Sequence, residues 1–303
     1  MSEVQTSSAR PVVGILWMLL TGALFVAVTA TVKHVGSNIP APESAFLRYS
    51  LGLVFLLPML RPMWRAGLDA SSIRLFGLRG LLHSIGVMLW FYAMTQIPLA
   101  EVTSMGYLTP VFVTVGAVVF LGETMALRRM LAVLVALLGA LVILRPGVRE
   151  VSSGHLAMLA NGFLFAGSYL IAKTMADRVA PAVVVGWLSI TVTLGLAPFA
   201  AAVWVTPSGT EVAWMLLVAA FATAGHFTMT LALRAAPISV TQPVTFLQLV
   251  WAVMLGAFVF SEPVDHWVVF GGTLILASVS FITWREAVLK RRMLTPAVMQ
   301  AKL

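Results

Sequence analysis

Polar side chains are scarce in the long apolar stretches of this chain, so the few that lie deep within them carry most of its chemical information. His83 and Trp90 stand seven residues apart, on one face of a helix. Tyr107 follows Thr103 by four residues and precedes Pro110 by three. Asn161 and His226 lie midway along two further stretches, and Thr241, Thr245 and Gln248 form an i, i+4, i+7 stripe. Polar groups at mid-membrane depth are costly and face the protein interior or a water-filled cavity. A cavity with a few convergent polar groups and aromatic walls suits a small organic solute. His83, Trp90, Tyr107, Asn161, His226, Thr245 and Gln248 are therefore the candidate solute-binding residues. Each has a structural alternative: Ser, Thr and Asn in membrane helices also bond neighbouring helices or their own backbone, and Trp and Tyr also form interfacial belts.

Other chemistries find little support. The 11 acidic residues all fall in tails, loops or the ends of apolar stretches, which leaves His83 and His226 as the titratable groups at mid-span. Transport by exchange, by facilitated diffusion or through histidine is expected. No His-Glu-x-x-His run and no mid-span Asp is present, and Ser84 beside His83 does not face it on a helix. Cysteine is absent, which excludes thiol nucleophiles and disulfides. Neither an enzyme nor a bound cofactor or metal is expected. Arg and Lys cluster at the ends of stretches, which favours zwitterionic or weakly charged solutes over phosphorylated ones, with export of other metabolites or drugs (nucleoside-, polyamine- or lipid-like) as the alternative. Arg79 is expected to reach the interface, and Arg48 to pair with Glu43 or Glu101. Glu123 and Glu262 end matched stretches, where they could act as gates or simply pair with Arg and cap the next helix, and Pro110 is a candidate hinge.

The elements that hold these residues follow from composition. Sixty per cent of the 303 residues are hydrophobic and 10% are charged, with a mean hydropathy of +0.99. A soluble exterior cannot be made from such a chain. Apolar stretches fall at about 12–32, 44–60, 73–96, 99–121, 128–145, 154–173, 182–204, 212–234, 238–260 and 265–284. Each can cross a hydrocarbon core of roughly 30 Å as a helix, the open single span that satisfies its own backbone in lipid. With the N-terminus cytoplasmic, 15 of the 19 Lys and Arg collect on that side, and Lys33, Arg48, Arg145 and Arg149 on the other. This asymmetry predicts both termini inside and an even number of crossings. It also accounts for the net charge of +8 without nucleic acid.

The chain repeats itself. Gly14–Lys33 set against Gly154–Lys173 matches at Gly14/Gly154, Leu16/Leu156, Met18/Met158, Leu19/Leu159, Gly22/Gly162, Leu24/Leu164, Phe25/Phe165 and Lys33/Lys173, and places Thr21 opposite Asn161. Pro98 precedes Glu123 by the same 25 residues that separate Pro237 from Glu262, with Tyr107-Leu108 facing Phe246-Leu247 between. Two halves, 1–146 and 147–285, each of five crossings, precede a basic tail at 286–303. Because five is odd, the second half must run upside down relative to the first. Inverted repeats of this kind in transporters place the site between the halves and expose it alternately to each side. The expected fold is all-α: a polytopic integral membrane protein of ten transmembrane helices in a 5+5 inverted repeat.

Trp90-Phe91-Tyr92-Ala93-Met94 to Pro98, Tyr107-Leu108-Thr109-Pro110-Val111-Phe112 and Leu121-Gly122-Glu123 resemble the repeat of the drug/metabolite transporter superfamily, EamA type. A second copy runs through Leu231-Ala232-Leu233-Arg234 to Pro237, Phe246 to Trp251 and Ser261-Glu262-Pro263. The look is closest to YddG-like amino-acid exporters. The resemblance implies ten helices, a bacterial inner membrane, and export of metabolites, amino acids with aromatic side chains among them. The partners expected are a small-molecule substrate and the lipid bilayer, and the sequence favours neither a monomer nor a dimer. One departure is that Leu249 stands where the first copy has Pro110, so helices four and nine need not bend alike.

Overall fold

A computed structural model describes residues 11–36, 38–123, 126–176, 178–179, 181–236 and 241–294. Arg10, Pro237, Lys302 and the tail beyond residue 294 lie outside the described residues. The first crossing is α1 (Pro11–Val35) and the second is α2 (Ala41–Gly52), a 3-10 stretch at Leu53–Met59 and α3 (Leu60–Arg65). The third is α4 (Ala70–Gln96), the fourth α5 (Leu99–Gly106) with α6 (Leu108–Leu121), and the fifth α7 (Leu127–Leu144). The second half supplies α8 (Ser153–Ala176), α9 (Pro181–Ala202), α10 (Gly209–Ala235), a 3-10 turn at Gln242–Thr245 leading into α11 (Phe246–Val259), and α12 (His266–Leu294). Among the described residues, eight of the ten crossings are helical segments long and apolar enough to span a bilayer. The second and ninth each carry a 3-10 stretch.

Local sequence sets the boundaries. Asp69 caps α4 by accepting from the Ser72 amide at 3.0 Å. Ser208 and Glu211 form a reciprocal capping box at the start of α10. The fourth crossing breaks at Gly106–Tyr107, where the ring of Pro110 displaces the carbonyl four residues before it. The ninth lacks that proline and breaks instead at Gln242–Thr245, over Pro243. Both helices are interrupted, and at matching points of the repeat, since Thr245 is the counterpart of Gly106.

Packing obeys a two-fold relation between the halves. α1 lies on α10 as α8 lies on α4; α4 lies on α9 as α10 lies on α2; α6 lies on α8 as α11 lies on α1; and α7 meets its own counterpart α12. The α7–α12 contact is closest at glycine: a Cβ on Gly139 would stand 2.7 Å from the Gly271 carbonyl oxygen, and one on Gly271 2.5 Å from that of Gly139. Without a hydrophobic driving force between helices in lipid, such small-residue contacts supply the packing. Hydrogen bonds repeat as well. Thr21 meets Thr228 across α1–α10 at 2.9 Å, and its counterpart Asn161 donates to the Gly86 carbonyl across α8–α4 at 2.9 Å.

Candidate functional site

The centre of the molecule is organised around His83. Its Nε2 lies 3.1 Å from the Tyr49 hydroxyl on α2, and its Nδ1 lies 3.2 Å from the Ser168 hydroxyl on α8. Hydroxyls both donate and accept, so either tautomer of the neutral ring is satisfied. Phe165, one turn from Ser168, stacks on the imidazole with centroids 4.5 Å apart. One histidine thus joins the two halves through a hydrogen bond to each. Around it, Tyr169 is 45% exposed although it sits well inside α8, and His226 is exposed on α10 with its ring edge-on to Phe25 of α1 at 5.2 Å.

The other sequence-derived candidates divide. Tyr107, at the break in the fourth crossing, donates to the Thr245 carbonyl at the break in the ninth, 2.9 Å away. The two interrupted helices therefore meet at their unwound points. Gln248 is half-buried on α11, against Gly22 of α1, and Trp90 is half-buried, edge-on to Phe91. Asn161 is buried and bonded to Gly86, as described above. Thr103 and Thr241 are buried. Tyr49, Phe165, Ser168 and Tyr169 were not among the candidates, although two neighbouring polar residues at the middle of α8 are the kind of signal that selected His83.

Arg79 is 5% exposed and donates to the Val184 carbonyl, in the first turn of α9, at 2.8 Å. One expectation about arginine is corrected. Arg48 pairs with neither Glu43 nor Glu101. Glu43 is fully buried and accepts from the Val205 amide at 2.9 Å, while Glu101 takes a bidentate bond from Arg149 at 2.8 and 3.0 Å and a further one from His155. The Arg48 guanidinium instead covers the Tyr49 ring, 3.9 Å from its centroid.

The matched acidic residues find matched partners. Glu262 pairs with Lys33, and Glu123 pairs with Lys173, so each glutamate meets the lysine of the opposite half. Their loops are built alike. Gly122 and Ser261 both adopt positive φ, +67° and +54°, and the amides of Glu123 and Glu262 return to the carbonyls of Ala117 and Gly256 at 3.2 and 2.9 Å. The Lys33 end is reinforced by Arg149–Glu101–His155 and by Arg145–Asp265. At the Lys173 end, Arg129 joins Glu123 at 3.4 Å and Glu286 at 3.2 Å.

The family model of the EamA-like transporter family matches residues 12–145 and again 152–284, one copy on each half. The chain belongs to this family. It is 28% identical to a riboflavin transporter of Vibrio cholerae over 93% of this chain and 97% of that one. It is 27% identical to an S-adenosylmethionine uptake transporter of Rickettsia prowazekii, over 90% and 93%. It is 25% identical to the pseudopaline exporter CntI of Pseudomonas aeruginosa, over 88% and 94%. A solved crystal structure superposes with a TM-score of 0.55 at 20% identity, covering 91% of this chain and 98% of the other, a likeness of fold. The protein is thus a multi-pass membrane transporter of the EamA type.

Proposed function

We propose that this transporter is an alternating-access carrier that exports small ring-bearing metabolites, aromatic and apolar amino acids foremost, across a bacterial inner membrane with both termini cytoplasmic. The observation that carries this reading is the His83 centre, where an imidazole bonded to Tyr49 of one half and Ser168 of the other stacks on Phe165. An aromatic platform flanked by hydroxyls offers a planar ring both a stacking face and polar contacts. Because the site is shared between the halves, rocking one against the other carries it from one side to the other. The Lys33–Glu262 and Lys173–Glu123 pairs close opposite ends in turn, and the breaks at Tyr107 and Thr245 provide the bending points.

Counterflow of labelled tryptophan in proteoliposomes, competed by leucine, riboflavin, S-adenosylmethionine and a nucleoside, tests this proposal. Competition by tryptophan and leucine supports the amino-acid reading; competition only by the larger solutes contradicts it. A fused-ring metabolite is the second reading, favoured by the riboflavin and S-adenosylmethionine named for two relatives.

A further inference from the structure

We infer that Arg48 is the carboxylate anchor of the central site and the residue that selects acids over their amides and amines. The inference rests on the proposed solute site and adds to it the charge of the solute. Arg48 stands seven residues into α2, about 10 Å along the helix axis from its start. A guanidinium at that depth is costly and is ordinarily paired. Yet among the described residues no hydrogen bond or ion pair involves it, and its Nε is buried without a partner. Nearby carboxylates do not neutralise it: Glu43 lies five residues away, off its helical face, with one oxygen on the Val205 amide and the other buried without a hydrogen-bond partner, and Glu101 is held by Arg149 and His155. Arg79, the other deep arginine, is nearly inaccessible and spent on a backbone carbonyl, whereas Arg48 is half-exposed.

The setting suits an anion. The Tyr49 ring beneath the guanidinium fixes its plane by cation–π contact and leaves the N–H edge free for a bidentate carboxylate. The hydroxyl of the same tyrosine bonds His83, which stacks on Phe165. Arg48, Tyr49, His83 and Phe165 therefore form one continuous run, with a cation at one end and an aromatic face at the other. An amino acid whose carboxylate meets Arg48 directs its side chain toward that face.

Competition of tryptophan, indole-3-propionate, tryptophan amide and tryptamine against labelled tryptophan counterflow tests the inference. The wild type is expected to take the two acids at least about ten-fold more tightly than the amide and amine, the range for a hydrogen bond to a charged group. In Arg48→Gln the acids fall to the level of the amide, while tryptamine is unchanged. Arg48→Lys, which keeps the charge and loses the fork, retains part of the preference, and it serves as the test if Arg48→Gln does not fold. A wild type that takes amide and acid equally, or an Arg48→Gln that keeps the preference, overturns the inference and leaves the ring-solute reading standing. If none of the indoles competes, the proposed site itself is wrong.

Discussion

Lys33–Glu262 and Lys173–Glu123 occupy equivalent positions of the two repeats, yet their surroundings differ. At the first pair the lysine and glutamate side chains are 18% and 12% exposed; at the second they are 57% and 33% exposed. Lys33 also donates to the Ile97 carbonyl at 2.9 Å, and Glu262 accepts from the Leu99 amide at 2.9 Å, which ties the pair to the connection between the third and fourth crossings. The second pair gains Arg129. The repeat thus determines who meets whom, and the surroundings determine what the meeting is worth. Both pairs are formed in this structure, and the Lys33 pair is the more enclosed of the two.

The sharpest break of this comparison is Glu262→Gln. It leaves the Lys33 ammonium in a largely enclosed site without its anion, at a cost of about 3 kcal/mol. Thermal unfolding in detergent should show a clear loss of midpoint, and counterflow should fall by more than about ten-fold. Equal midpoints for Glu262→Gln and Glu123→Gln would erase the distinction between the ends. A charge swap sharpens it: Lys33→Glu with Glu262→Lys should recover part of what either single change loses, whereas the same swap at Lys173 and Glu123 should show coupling of roughly 1 kcal/mol or less.

Glu123→Gln is the next smaller perturbation. It should leave stability nearly unchanged, because exposed pairs contribute little, but should alter the counterflow rate if this end closes during the cycle. Unchanged rates would reduce Glu123 to a structural residue. The smallest effect is that of pH and salt on this end. The hydrogen bond from Lys173 holds the Glu123 carboxyl below its ordinary value of 4.5, with Arg129 contributing less. A carboxyl depressed in the folded state stabilises above its unfolded value and loses that contribution as pH falls through the folded one. The pair should therefore be indifferent to pH between 7 and 5 and weaken only below about 4.5. One molar salt should weaken it more than the enclosed Lys33 pair. A midpoint difference between wild type and Glu123→Gln, followed across pH and salt, checks both.

Much of the architecture was legible in the sequence. Apolar length marked the crossings, and the spacing of Lys33/Lys173 and Glu123/Glu262 marked the repeat. That each glutamate pairs with the lysine of the other half was not legible, since spacing within a half says nothing of contacts between halves. Pro110 marked a weak point, but the break falls at its i−4 carbonyl rather than at the proline. Arg48 was misjudged because position along a helix gives depth without direction. One cation turned toward α9 and the other toward Tyr49 look alike in one dimension. His83 was recognisable as a polar group at depth, but its partners Tyr49 and Ser168 come from two other helices that only the packing brings together. Substrate chemistry was the least legible. The family motif is made of Pro, Gly and Glu that shape the helices, and the named relatives carry riboflavin, S-adenosylmethionine and pseudopaline on the same frame.

The proposed alternation of the two ends is open to direct measurement, because the chain has no cysteine and accepts spin labels without background. One pair of labels at exposed positions 38 and 264 spans the Lys33 end, and another at exposed positions 126 and 178 spans the Lys173 end. Pulsed dipolar distances in proteoliposomes, with and without substrate, should move in opposite senses, one lengthening as the other shortens. Distances that change together, or that stay fixed at both ends while counterflow proceeds, would contradict alternating closure by the two matched pairs.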